Sequence, residues 1–252
     1  LTFITSLFLG MCMGCGAVFS IRYGERAWEH LRENVFTAFV MIGILSLLIN
    51  GAVFLLLDPI MGLLSVPEDV YSIMREYLVV IFAGILATFL YNFFASLLRA
   101  VGNSVTPLVF LGISAVVNIV LDLIFVLVCK WGVQGAAAAT VIAQWLSGVG
   151  SMVYTWRKCP ELRPARPQMR IRAAGIRELA GASVLTCMQQ SVMNLGILMV
   201  QGLVNSFGSV VMAAFAAATK IDSFAYMHLQ DFGNAFSTFV AQNYGAGETK
   251  RI

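Results

Sequence analysis

The stretch Val105-Thr-Pro-Leu-Val-Phe-Leu-Gly-Ile-Ser-Ala-Val-Val-Asn118-Ile-Val-Leu-Asp122-Leu-Ile-Phe-Val-Leu-Val-Cys129 is an apolar run of membrane-spanning length that holds an amide and a carboxylate. Four residues apart on a helix, Asn118 and Asp122 share one face. An ionised carboxylate at the centre of a bilayer costs at least ~2.5–3.5 kcal/mol on insertion scales, so such a group normally has a partner and a task. The plain alternative is an Asp kept neutral and hydrogen-bonded as helix glue.

The rest of the chain agrees with a membrane setting. It has 252 residues, 59% apolar and 12% charged, with mean hydropathy +0.84. Soluble domains carry about 25% charged residues. The apolar runs are continuous, whereas barrel strands would alternate apolar and polar residues. The fold class expected is all-α integral membrane, with seven spans at about 1–21, 34–57, 76–98, 106–129, 133–156, 179–206 and 210–242. Asp58-Pro59, Lys130-Trp-Gly132 and Asn205-Ser-Phe-Gly-Ser209 are among the breaks. The first span carries no charged leader or cleavage site, so it reads as a span and not a signal peptide; the chain reads as a fragment cut at both ends.

Charge gives the orientation. One side collects 13 of the 16 Lys and Arg, while the other has Arg75 and Lys130, and Lys220 falls within the last span. The rich side is cytoplasmic, so the chain enters the membrane at Leu1 from outside. Residues 157–178, with three prolines and seven basic residues, read as a cytoplasmic linker between a first bundle, 1–156, and the start of a second, 179–252. Its second half, Met169 to Leu179, has the pattern of an amphipathic helix lying on the inner leaflet. The plain alternative is an ordinary basic loop.

A faint repeat supports two bundles. Tyr23-Gly24 ends the first span and Tyr244-Gly245 ends the last, 221 residues apart. Six spans fit in that period, which keeps both copies in one orientation about an axis along the membrane normal.

The polar residues suggest two sites. The turn after Cys129 is short, so the next span is an antiparallel neighbour, and counting residues from the turn puts Thr140 at the depth of Asp122. Asp122, Asn118 and Thr140 then offer hard oxygen ligands, suited to Na⁺ or, through protonation of Asp122, to H⁺, and not to a transition metal. In the sixth span Gln190, Asn194, Gln201 and Asn205 form one polar stripe, assigned to the wall of a substrate cavity. An interhelical hydrogen-bond ladder is the other reading. Lys220, Asp222 and Asp231 in the last span have no assigned role. Cys12-Met-Gly-Cys15 lies inside a span without redox context, and reads as packing. His30 and His228 lack metal-ligand spacing, and nothing points to nucleic acid.

Several segments resemble the multidrug and toxic compound extrusion (MATE) family of efflux transporters. They are Arg99-Ala-Val-Gly-Asn-Ser-Val-Thr-Pro107, Asn118-Ile-Val-Leu-Asp122, Gly132-Val-Gln-Gly135-Ala-Ala-Ala-Ala-Thr140-Val-Ile-Ala-Gln144 and Val240-Ala-Gln-Asn-Tyr-Gly-Ala-Gly247. The resemblance implies a fold of twelve helices in two lobes, of which this chain looks like helices two to eight. It also implies a cation site in the first lobe, falling on Asn118, Asp122 and Thr140, with a further Asp on helix one before Leu1. Some branches carry a Glu on helix seven; the matching region, Ser183 to Ser191, has no acid. The function implied is a cation-coupled antiporter, driven by H⁺ or Na⁺, that expels organic, often cationic, compounds across the plasma membrane, as in a bacterial inner membrane. No other cofactor, no enzyme activity and no obligate protein partner are expected, and the intact protein is expected to be a monomer. The alternative kept is a related flippase for a lipid-linked precursor. That would need basic groups in the cavity, and the spans hold Lys220 alone.

Overall fold

The computed structural model describes residues 2–63, 68–205 and 207–252. Their regular elements are all helical: α1 (Thr2–Gly24), α2 (Trp28–Leu63), α3 (Glu68–Ala83), α4 (Ile85–Ala100), α5 (Val105–Leu123), α6 (Gly132–Lys158), α7 (Ala173–Asn205) and α8 (Ser209–Gly245). A π-helical turn, Ile124–Val128, continues α5. Six segments among the described residues are long and apolar enough to cross a membrane, and α3 with α4 counts as one of them. The 37-residue α8, which carries Lys220, Asp222 and Asp231, is not among the six.

Several helices outrun the expected spans. α2 begins at Trp28, because the charged turn Glu29 to Glu33 continues the helix beyond the apolar part. It also runs past Pro59 to Leu63, so the expected break at Asp58-Pro59 is not one. Pro59 has no N–H to offer the Leu55 carbonyl, so α2 runs on past it with one hydrogen bond fewer. The Asp58 carboxylate is taken up by Arg75 Nε at 2.7 Å and the Tyr71 hydroxyl at 3.1 Å. The third span is interrupted where a continuous helix was expected. The chain turns at Gly84, and the Asn50 amide donates to the carbonyl of Phe82 at 2.8 Å. The orphaned carbonyl is thereby satisfied inside the bundle. A Cβ on Gly84 would come within 2.9 Å of both Gln144 Oε1 and Val141 Cγ2, so glycine lets α6 close on the break.

The linker also differs from expectation. Pro160–Leu162 and Arg166–Gln168 form short 3₁₀ turns, and α7 runs unbroken from Ala173. The stretch expected as a surface helix is therefore largely the start of the long helix α7. The linker is held down by buried Leu162 and by Arg32, whose Nε donates to the Glu161 carbonyl at 2.8 Å.

The core lies among α1, α2 and α4. Phe39 stacks at a tilt or edge-on against Phe89, Phe93 and Phe94, with centroids 5.3–6.1 Å apart, and Phe19 meets Phe93. Each such pair is worth about 0.5–1.5 kcal/mol beyond its area. Elsewhere small residues bring helices together, since lipid leaves no hydrophobic force between them. On α1, Gly10 lies against Cys187 and Gly14 against Ala182 and Ser183, which seats α1 along α7.

Candidate functional site

α5 is mostly apolar and exposed: Leu108, Leu111, Val116, Ile119 and Leu123 are open on its surface. Its polar stripe, Ser114, Asn118 and Asp122, turns towards α6. Ser114 is buried and donates to the Ala143 carbonyl at 2.8 Å. One turn on, Asn118 Nδ2 donates to Thr140 Oγ1 at 3.4 Å, and Thr140 Oγ1 donates to the Ala136 carbonyl at 3.0 Å. One turn further, Asp122 carries a buried carboxylate oxygen, Oδ1, with no hydrogen-bond partner among the described residues. A buried, unmet acceptor of that kind calls for a proton or a cation.

The three expected residues share this seam, but its register differs by one turn. Thr140 stands opposite Asn118 and not opposite Asp122. The reason lies past Asp122, where the helix widens into the π turn, closed by Cys129 N donating to the Ile124 carbonyl. A π turn advances less per residue, so an α-helical count back from Cys129 overstates the depth of Asp122 and accounts for part of that one-turn difference. Gly135 lets the start of α6 pack on that turn, since a Cβ there would come within 2.9 Å of Phe125 Cβ. Single π turns inside helices often accompany functional positions.

Beyond Thr140 the polar seam continues to residues the sequence reading gave no role. Gln144, one turn deeper on α6, accepts from the Thr88 hydroxyl at 3.2 Å, and Thr88 stands just past the break at Gly84. Thr140, Gln144 and Thr88 share a cavity of about 140 Å³ with Thr5, Tyr77 and Phe8. The Thr140–Gln144 spacing was the available signal; the helix break that brings Thr88 to it leaves no mark in an apolar run.

The stripe on α7 faces α1 in this conformation. Gln190 is buried with its amide 4.0 Å from Met13 Sδ, and Asn194 Nδ2 donates to Ser6 Oγ at 2.7 Å. These two residues form a seam between helices, the second of the two readings. Gln201 is exposed, and the side chain of Asn205 lies outside the described residues. Lys220, Asp222 and Asp231 are exposed on α8.

The helix ends on the arginine-rich side carry the ion pairs. Arg22 reaches Glu25 at 2.9 Å and Glu178 at 2.7 Å, linking α1 to α7, and Arg172 reaches Glu33 of α2 at 3.3 Å. Arg22, Glu33, Arg172 and Glu178 border a mixed-charge cavity of about 200 Å³ beneath the linker.

The MatE family model matches residues 1–124 and 182–252, which includes Asn118 and Asp122 but not Thr140. The chain is 28% identical over 251 residues to a probable multidrug resistance protein, YpnP, of Bacillus subtilis, covering 99% of this chain and 56% of that protein. It is 24% identical over 263 residues to a FAD transporter of Shewanella oneidensis, covering 98% and 57%. A crystal structure of a mutant of the Vibrio cholerae MATE transporter VcmN superposes with a TM-score of 0.91 at 25% identity, over 98% of this chain and 56% of that one. The chain thus spans about half the length of the relatives it matches.

Proposed function

The chain belongs to the MatE family, and on that footing we propose that the intact protein is a cation-coupled antiporter that expels organic, often cationic, compounds across the plasma membrane. The observation that carries this reading is the buried Asp122 Oδ1, without a hydrogen-bond partner among the described residues, one turn from the Asn118–Thr140 pair.

Each residue has a part. Asp122 supplies the charge that either H⁺ or Na⁺ neutralises. Asn118 has its amide N–H engaged by Thr140, which leaves its carbonyl oxygen as a neutral ligand. Thr140 supplies a hydroxyl oxygen. Neutralising Asp122 removes the cost of a buried charge, so the coupling cation binds one conformation better than the other and shifts the balance between them. An organic cation that needs the same negative charge is then released as the coupling cation enters. Gln144, Thr88 and the cavity beside them lie one turn deeper than Thr140 and form the route between the cation and the interior of the bundle. The α7 stripe would join the wall of the substrate cavity when α1 and α7 separate.

The test is efflux of an organic cation dye from drug-sensitive cells that express the intact protein. Asp122→Asn is expected to abolish efflux and Asn118→Ala to reduce it. Efflux at the unaltered rate in Asp122→Asn, at equal expression, rules out the mechanism. FAD belongs in the same assay as a competitor, because one relative is named for its transport.

A further inference from the structure

The two Tyr-Gly pairs meet in space. α1 ends at Gly24 and α8 at Gly245, and each glycine lies on the backbone of the other helix. A Cβ built on Gly24 would overlap the carbonyl oxygen of Gln242 and come within 3.1 Å of Ala246 N. A Cβ built on Gly245 would overlap the carbonyl oxygen of Ile21 and come within 3.1 Å of Ile21 Cα. Gln242 stands to Ile21 as Gly245 stands to Gly24, at the same 221-residue interval, so each half of the contact repeats the other about a two-fold axis.

The contact is local and reinforced. Gln242 Nε2 donates to the Ala100 carbonyl at 2.7 Å, which ties the end of α8 to the end of α4. The Arg22–Glu178 ion pair adds α7 at the same membrane face. The two helices meet at these ends, while the Phe232, Phe236 and Phe239 face of α8 is 73%, 53% and 47% exposed.

We propose that this contact is the cytoplasmic gate of the transporter, shut in this conformation by a reciprocal glycine–carbonyl interlock. It rests on the alternating-access antiporter reading. Because the contact is made by backbone, no side chain can swing aside to open it; α1 and α8 must part as bodies, which is the movement two related bundles make about a shared axis. The closeness depends on both glycines, because small residues alone let helix backbones touch. A methyl group at either position wedges the closed state and leaves the open state untouched.

The experiment is a distance measurement on the intact protein in nanodiscs. Spin labels replace Arg26 and Lys250, exposed residues just beyond α1 and α8, in a cysteine-free background. The unaltered pair is expected to show a dominant short distance and a minor long one. Gly24→Ala and Gly245→Ala should each move the ratio towards the long distance by about tenfold or more, the usual scale of an overpacked contact. Gly233→Ala, on α8 with open space around it, should leave the ratio unchanged. Unmoved distances in both glycine variants overturn the gate. If those variants do not fold, the labelled pair alone decides. Two populations exchanging with pH or Na⁺ support the gate, and one fixed distance under all conditions overturns it. The readout needs no transported drug, so it can succeed even if coupling through Asp122 fails, and the reverse also holds.

Discussion

Thr140→Val keeps the shape of the side chain and removes its hydroxyl, so the loss can be followed bond by bond. The bond from Thr140 Oγ1 to the Ala136 carbonyl disappears, but that carbonyl faces the helix and keeps its backbone partner, so this loss is small. The larger effect falls on Asn118, whose Nδ2 loses its acceptor at 3.4 Å. That bond is long, and side-chain hydrogen bonds between membrane helices average about 0.6 kcal/mol with a maximum near 1.7. A loss of about 1 kcal/mol corresponds to roughly fivefold in an equilibrium constant. If the coupling ion is H⁺, Thr140 only positions its neighbours, and the cation dependence shifts by at most about that factor. If it is Na⁺, a ligand oxygen is lost as well, and the half-saturating Na⁺ concentration rises by about tenfold or more. The assay is dye efflux in proteoliposomes containing the intact protein, titrated with pH and with Na⁺. Thr140→Ser should restore the unaltered midpoint. A midpoint unchanged in Thr140→Val under both titrations would refute the placement of Thr140 in the cation site.

Gly14→Leu should destabilise the protein by at least about 1–3 kcal/mol, because its Cβ alone would lie 2.6 Å from Ser183 Cα; thermal unfolding in detergent measures it, with Gly112→Ala, which has open space around it, as the silent control. A membrane-impermeant maleimide applied to intact cells should label exposed Cys129 and spare Cys159, which lies at the basic face; the opposite pattern inverts the topology. In opened cells Cys159 should still react more slowly than an ordinary thiol at a given pH, since burial and then nearby Glu161 hold its pKa above the usual thiol value, and its rate should keep rising at pH values where an ordinary thiol has levelled off. Gln144→Ala enlarges the cavity of about 140 Å³ beside Thr140 and should change the relative efflux of large and small dyes; an unchanged ranking separates that cavity from transport.

The membrane class and the α5–α6 seam were legible because each rests on local pattern: continuous apolar runs, and a carboxylate where lipid penalises it. The register of the seam was not. Helix counting assumes α geometry, and the π turn at Ile124–Val128 has no signature in Ile-Phe-Val-Leu-Val. The break at Gly84 was hidden likewise, since Ile81-Phe-Ala-Gly-Ile85 reads as one apolar run and the Asn50 that caps it comes from another helix. The basic stretch before Leu179 looked like a surface helix because its charges alternate with apolar residues. In the structure it carries α7 onward, and Glu178 reaches Arg22. A polar stripe on one helix cannot reveal what lies opposite, so Gln190 and Asn194 fitted a cavity and a helix seam equally well until α1 was in place. The Tyr-Gly repeat was visible as a period; the reciprocal contact it encodes required both helices.

The reading as a coupled antiporter stands on the cation at Asp122, and ion release reports on it without any assumption about substrate range. Purified intact protein, loaded with H⁺ or Na⁺ in weakly buffered solution, should release that ion when an organic cation is added, and Asp122→Asn should release none while remaining folded. Undiminished release from Asp122→Asn would place the coupling site elsewhere in the protein.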